Sequence, residues 1–231
     1  MKPDTEIMSS SSRALILGIG GAPFADSSSE RALKISLAAA VADGAQTRLI
    51  AGPDLVLPLY DPRTKSRDDK QRALVESLRG CDGLIISSPS YHGSVSGLVK
   101  NALDYIEDLR GDARVYLDGL AVGLIVCAGG WQGAGQTLSA MRSIVHAVRG
   151  WPTPLGALIN TSDCHFDQRG QCSDAVTNAQ LVAVGTQVAQ HSRLQLQSNQ
   201  QHARAPSRVA LLLQEAKSDT LRSERHPCSI E

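Results

Sequence analysis

Ala14-Leu15-Ile16-Leu17 runs into Gly18-Ile19-Gly20-Gly21-Ala22-Pro23-Phe24-Ala25-Asp26, and that loop gives way to Ser27-Ser28-Ser29-Glu30. An apolar run of strand length, a glycine-rich connection and an S-x-x-E capping box predict strand, loop and helix in that order. Leu33, Leu37, Ala40 and Val41 then share one helical face, and Gly44 supplies a stop. Strand, loop and helix make the first half of a βα unit.

The same unit recurs downstream. Apolar runs at 47–50, 84–86, 121–126 and 155–159 are mostly continuous rather than alternating, as strands buried on both faces of a parallel sheet should be. Between them, 68–79 before Gly80, 96–109 before Gly111 and 136–149 before Gly150 have helical spacing, and a fifth helix is expected over 174–190. Five strands alternating with five helices imply right-handed crossovers and a three-layer, doubly wound α/β fold. Strand order does not follow from periodicity. From 194 onward the chain turns to Gln, Ser, Arg and His, with one apolar patch at 209–213. The expected organisation is a flexible N-terminus over 1–12, one domain over 13–193 and a mobile polar tail over 194–231 with at most a short helix.

Composition removes several classes of function. Of 231 residues, 42% are hydrophobic and 20% charged, and 23 basic residues balance 23 acidic ones. That leaves no basic surplus for a nucleic-acid backbone or an anionic membrane. Two Trp, four Tyr and two Phe are too few for base-stacking platforms. The apolar stretch 120–128 is far short of the roughly 20 residues that cross a bilayer. Residues 14–22 have the apolar character of a signal-peptide core, but Asp4 and Glu6 oppose a positive n-region. A cytoplasmic protein is expected. Cys81, Cys127, Cys164, Cys172 and Cys228 contain no C-x-x-C pair, which argues against a zinc ribbon or a disulfide framework and for reduced thiols.

In an open parallel sheet, ligands gather outside the carboxyl ends of the strands, where the winding direction switches. The loops after the first, third and fourth strands should carry the chemistry. In the first, hydroxyls and free N–H groups at a helix start suit a phosphate dianion. Capping accounts for one serine, which leaves two hydroxyls over. The loop is not a dinucleotide fingerprint, because Pro23 holds the third glycine's place and Ile50 is followed by Ala51-Gly52 rather than an acid. No G-x-x-x-x-G-K-[ST] is present, and Gly93-Ser94-Val95-Ser96-Gly97 has Val95 where a hydrolase elbow needs Ser.

The third-strand loop is the most specific segment: Ser87-Ser88-Pro89-Ser90-Tyr91-His92-Gly93-Ser94-Val95-Ser96-Gly97-Leu98-Val99-Lys100-Asn101-Ala102-Leu103-Asp104. It resembles the P-E-Y-N-G-S-x-P-G-x-L-K-N-A-L-D signature of the NADPH-dependent FMN reductases. Leu57-Pro58-Leu59-Tyr60-Asp61 is similar to a run common in that family, and the resemblance spans about 15–190. It implies a flavodoxin-like fold, a five-stranded sheet of order 2-1-3-4-5, and FMN at the switch between strands one and three. Ser27, Ser28 and Ser29 then look like the phosphate loop. Pro89, Ser90, Tyr91, His92 and Gly93 look like the segment along the isoalloxazine, and Cys127, Ala128, Gly129 and Gly130 like the loop at its other edge. Pro89 and Gly93 suit a tight turn that offers N–H groups to the ring's N5, O4 and N3 side, with Tyr91 against the ring.

Three positions depart from the pattern. Ser90 replaces Glu, His92 replaces Asn, and the first loop has Pro23 and Phe24 where the family commonly has Arg. His92 is a candidate proton donor during acceptor reduction. The missing Arg leaves open whether NADPH or NADH is preferred. Cys127 fits packing better than redox work. Cys164, His165 and Cys172 share one polar loop with too few ligands for zinc, so no metal is expected. Asp104, Glu107, Asp108 and Arg110 are expected on a solvated helix face, and the resemblance implies a homodimer or homotetramer packed along that helix.

The function implied is FMN-dependent transfer of hydride from NADPH or NADH to FMN N5, and onward to a small-molecule acceptor such as a flavin, quinone or azo compound. Two alternatives use the same fold: a non-catalytic electron carrier, which the balanced charge disfavours, and a flavin-free binding protein.

Overall fold

The computed structural model describes residues 13–64 and 66–204. The expected flexible N-terminus and the apolar patch at 209–213 lie outside the described residues. The chain divides into two compact units at Arg193/Leu194.

Five parallel strands, β1 (Leu15–Gly20), β2 (Gln46–Ala51), β3 (Gly83–Tyr91), β5 (Ala121–Ala128) and β6 (Trp151–Asn160), form a sheet of order β2-β1-β3-β5-β6. Counted among parallel strands alone, this is 2-1-3-4-5, as the resemblance implies. A two-residue strand, β4 (Ser94–Val95), folds back antiparallel on the end of β3. Burial explains the sequence pattern. All eight residues of β5 and the first six of β3 are buried, whereas the edge strands β2 and β6 mix exposed and buried positions. Edge position also explains how β6 tolerates Pro152 and Pro154, whose missing N–H groups break no central ladder, and the β5/β6 register slips beside them.

Helices α1 (Ser28–Ala42), α2 (Asp69–Gly80), α3 (Gly97–Asp104), α4 (Trp131–Ala147) and α5 (Ala175–Arg204), the last over its residues up to Arg193, cover the sheet. α1 and α5 share a face: Ser36 Oγ donates to the Leu181 carbonyl at 2.7 Å, and Gly123 of β5 has no side chain because Val184 and Val188 of α5 lie against it. On the other face, Leu74 and Leu78 of α2, Val99 of α3 and Met141 of α4 join Leu17, Leu84 and Leu124 in one buried cluster. Each such side chain stabilises the fold by roughly 1.5–3 kcal/mol on burial.

Most helix boundaries agree with the sequence reading, and each departure has a local cause. Asp68 and Gln71 complete a reciprocal capping box on α2. At α1 only half of the box forms: Ser27 Oγ accepts from Glu30 N–H at 3.3 Å, but the Glu30 carboxylate reaches one residue further back, to the Asp26 N–H at 3.0 Å. The third helix tightens to a 3-10 turn over Tyr105–Leu109. α4 begins at Trp131, ahead of the expected start at Gln136, and absorbs Gly133 and Gly135. α5 passes the expected end at Gln190 and reaches Arg204. No Pro or Gly interrupts the sequence between Gly185 and Pro206, and Leu, Gln and Arg propagate a helix well.

Candidate active site at the carboxyl ends of the strands

The chain leaves β1 toward β2 on one side and leaves β3 toward β5 on the other, so the switch point lies between β1 and β3. Their loops are joined at the base. Gly21 N–H donates to the Ser87 carbonyl at 3.2 Å, and Ser87 Oγ donates to the Ser29 carbonyl at 2.7 Å, which fixes the start of α1 against β3. A Cβ on Gly20 would stand 2.2 Å from the Ser87 oxygen, so only glycine permits this approach.

The three serines of the first loop have different roles. Ser27 Oγ accepts the N–H groups of Ala22 (3.2 Å) and Glu30 (3.3 Å) and lies 3.3 Å from Ser29 Oγ. Both Ser27 and Ser29 are buried. Ser28, half-buried at the first helical position, is the serine whose hydroxyl has no partner among the described residues. One hydroxyl, not two, is left over. The first-turn N–H groups of Ser28 and Ser29 also lack acceptors among the described residues, as expected at a helix start, and together they form a donor set suited to an anion. Against this stands Glu30, buried at the same end of α1. Its carboxylate is paired with Lys34 Nζ at 2.8 Å, and Lys34 also meets Asp26 at 3.1 Å. The two carboxylates hold the Lys34 ammonium above its ordinary range, Glu30 more strongly, and Lys34 holds the Asp26 carboxyl below its own.

The end of β3 is a two-residue hairpin. Tyr91 pairs with Ser94 and Ser90 with Val95, which leaves His92 and Gly93 at the tip with φ of 53° and 78°. Two consecutive positive φ values define a type I′ turn, whose first position favours Asn. His92 therefore occupies a backbone conformation that Asn adopts more readily, with its ring exposed. Pro89 is not part of the turn; it lies within β3, in register with Cys127 of β5. The Ser90 hydroxyl is engaged by Thr137 Oγ1 at 2.8 Å and the Gly133 carbonyl at 3.2 Å, an anchor to α4 that sequence reasoning missed.

After β5, Ala128 is buried while Gly129 is exposed and Gly130 caps α4. Added Cβ atoms at Gly129 and Gly130 would meet nothing, so this loop presents bare backbone to open space. It is held from below by residues just past β6: Thr161 N–H and Oγ1 both donate to the Ala128 carbonyl (2.8 and 3.2 Å), and Ser162 Oγ donates to Gly129 (3.1 Å). Cys127 is buried, and burial, followed by the neighbouring Cys164 and Cys172, pushes its thiol far up, in agreement with a packing role. Burial also raises Cys172 to about 11.

Exposed Phe24 lies in the loop after β1, Tyr91 ends β3, and Trp131 opens α4 just past the glycine loop. Three of only eight aromatic residues thus stand at the carboxyl end of the sheet, at the same end as the helix-start donor set and the bare glycine loop. An apolar planar group attached to an anion fits these residues. No cluster of metal-ligating side chains occurs among the described residues.

Residues 14–163 match the family model for NADPH-dependent FMN reductase. An FMN-dependent NADPH-azoreductase of Staphylococcus haemolyticus is 36% identical over 88 residues, which are 38% of this chain and 43% of that protein. An NADPH azoreductase of Bacillus sp. strain OY1-2 is 30% identical over 93 residues, 40% of this chain and 49% of that protein. The chain therefore spans less than half the length of each of these relatives. Among solved structures, the flavoenzyme NAD(P)H:(acceptor) oxidoreductase of Paracoccus denitrificans superposes with a TM-score of 0.60 at 17% identity, covering 77% of this chain and 98% of its own. An oxidoreductase of Corynebacterium diphtheriae gives 0.59 at 20% identity, covering 78% and 96%. The fold is flavodoxin-like, and the chain belongs to the NADPH-dependent FMN reductase family.

Proposed function

We propose that this chain is a cytoplasmic FMN-dependent NAD(P)H oxidoreductase that reduces a small-molecule acceptor. The observation that carries the proposal is that exposed Phe24, Tyr91 and Trp131 all stand at the carboxyl end of the sheet, on the segments that follow β1, end β3 and follow β5, at the same end as the unpartnered N–H groups of Ser28 and Ser29. When bound, FMN supplies a ring that accepts hydride from the nicotinamide and releases electrons to the acceptor.

The residues of the chain bind and position. Ser28 and the first-turn N–H groups of α1 hold the phosphate, with the helix dipole adding to their attraction. The hairpin tip at His92-Gly93 and the bare Gly129-Gly130 backbone border the ring, while Tyr91 and Trp131 exclude water from its face. Exposed at the tip, His92 is placed to carry a proton to an acceptor. Pairing of two copies along α3, which the family resemblance implies, is part of the same proposal.

The test is direct. The purified full chain should bind FMN with a flavin visible spectrum, and NADPH or NADH should bleach it under anaerobic conditions, with colour returning on addition of a quinone or azo dye. A folded chain that stays colourless in excess FMN would refute the proposal.

A further inference from the structure

Cys164 and Cys172 stand eight residues apart in the loop between β6 and α5, and their sulfurs are 3.0 Å from each other. Both are free thiols. Backbone pairing builds this contact. Phe166 and Cys172 form an antiparallel bridge, Ser173 N–H donates to the His165 carbonyl at 2.9 Å, and Asp167 N–H donates to Gln171 at 3.0 Å. Residues 165–173 are thereby folded into a narrow finger, with the side chains at 164 and 172 a diagonal pair on one face. A disulfide needs its sulfurs at about 2.05 Å, so closure requires a movement of only about 1 Å.

We propose that Cys164 and Cys172 are a dithiol that a hydroperoxide closes to an intramolecular disulfide, a modification site that clamps the finger. Cys172, the less buried of the two, attacks the peroxide as its thiolate: the thiol proton first goes to solvent, an S–O bond forms, the O–O bond breaks, and the departing hydroxide takes a proton back to leave as water. Because burial raises this thiol, the step is slow at neutral pH and quickens as pH rises. Cys164 then displaces the sulfenic oxygen: the S–S bond forms, the S–O bond breaks, and a second water leaves. The two thiols lose two electrons and two protons, and hydrogen peroxide becomes two waters.

The clamp bears on the site because the same loop holds two of its three walls. At one end Thr161 and Ser162 support Ala128 and Gly129. In the finger, the carbonyls of Phe166 and Asp167 accept from Arg31 Nη1 at 3.1 and 2.6 Å, and Arg31 lies in the first turns of α1. Oxidation stiffens a strut between the glycine loop and the phosphate loop and slows FMN release. This consequence rests on the functional reading above, whereas the disulfide does not.

The full chain is treated with hydrogen peroxide, denatured, alkylated and weighed. The expected result is two fewer alkylated thiols, a loss of about 2 Da, a linked pair of peptides carrying Cys164 and Cys172, and reversal by dithiothreitol. Cys164→Ser and Cys172→Ser each abolish the loss, and Cys127→Ser keeps it. Alkylation of both thiols after peroxide, or pairing of either with another cysteine or a second chain, would overturn the proposal. FMN dissociation should slow by about three- to tenfold in the oxidised chain, as expected for stiffening a pre-organised site. An unchanged rate in a linked chain would overturn the clamp and spare the disulfide. Failure to bind FMN in either state would overturn the functional reading alone.

Discussion

The amide of Asn101 grips the backbone that ends at Tyr60. Its Oδ1 accepts the Tyr60 N–H at 2.9 Å, and its Nδ2 donates to the carbonyls of Leu57 (3.3 Å) and Pro58 (2.9 Å). Two segments of family-like sequence, 57–61 and 100–104, are therefore partners. Tyr105 reinforces the junction: its hydroxyl donates to the same Pro58 carbonyl at 2.9 Å, accepts from Gln71 Nε2 at 2.6 Å, and its ring meets the Tyr60 ring edge-on.

Asn101→Ala should accordingly cost about 2–3 kcal/mol, because it removes three hydrogen bonds and leaves backbone groups partly buried without partners. Asn101→Asp keeps the acceptor for Tyr60 but turns a carboxylate toward two carbonyl oxygens, so it should be no less damaging. Urea denaturation of the three proteins checks both expectations. Equal midpoints for wild type and Asn101→Ala would show that the 57–60 loop is held by other contacts.

Asp108 gives the fold an acid-sensitive joint. Although expected on a solvated helix face, it accepts two hydrogen bonds from Arg67 at 2.8 Å and one from the Tyr60 hydroxyl at 3.0 Å, and Arg67 stacks over both Tyr60 and Tyr105. The Arg67 guanidinium holds the Asp108 carboxyl below its ordinary 3.8. A carboxyl depressed in the folded state stabilises above its unfolded pKa and loses that contribution as pH falls through the folded value. Asp108→Asn should destabilise by about 2–4 kcal/mol at neutral pH and flatten the stability curve below about pH 4. Burial, then Asp108, raises the Tyr60 hydroxyl to about 12, so the variant should also ionise Tyr60 at lower pH, visible in a tyrosinate absorbance titration.

What the sequence revealed and what it concealed divide along physical lines. The buried run of β5, the cap at Ser27 and the start of α2 near Asp68 were legible because period and capping are local properties. Strand order was not local, and it came from resemblance alone. The free serine count was misjudged because the Ser27–Ser29 contact depends on how the loop folds onto α1. The role of Asp108 was hidden for the same reason: Arg67 lies 41 residues earlier. Thr161 and Ser162 carried no signal until β6 was known to flank β5.

The hairpin tip predicts a stabilising change. His92 pays for a positive φ that Asn or Gly adopts more readily. His92→Asn and His92→Gly should each raise stability by about 0.5–1 kcal/mol, read as a higher melting temperature of the apoprotein. If His92 carries the acceptor's proton, the same variants should lower kcat for a quinone while leaving anaerobic flavin bleaching by NADPH intact. A lower melting temperature would mean that the imidazole makes a compensating contact in solution.

The start of α1 permits a test with two opposite signs. Ser28→Asp places a carboxylate at the first helical position, where the helix dipole favours it, so the apoprotein should lose no stability. The same charge beside an incoming phosphate should weaken FMN binding by about tenfold or more, the effect of roughly 1.4 kcal/mol of repulsion. Glu30→Gln acts in reverse: it keeps an acceptor for the Asp26 N–H but removes a buried negative charge from the same helix end, leaving Lys34 to Asp26 alone. FMN affinity should rise by several-fold. Fluorescence titration of apoprotein with FMN and with riboflavin separates the cases, since riboflavin carries no phosphate and should respond to neither substitution. Matching shifts for both ligands would place the phosphate elsewhere than at Ser28.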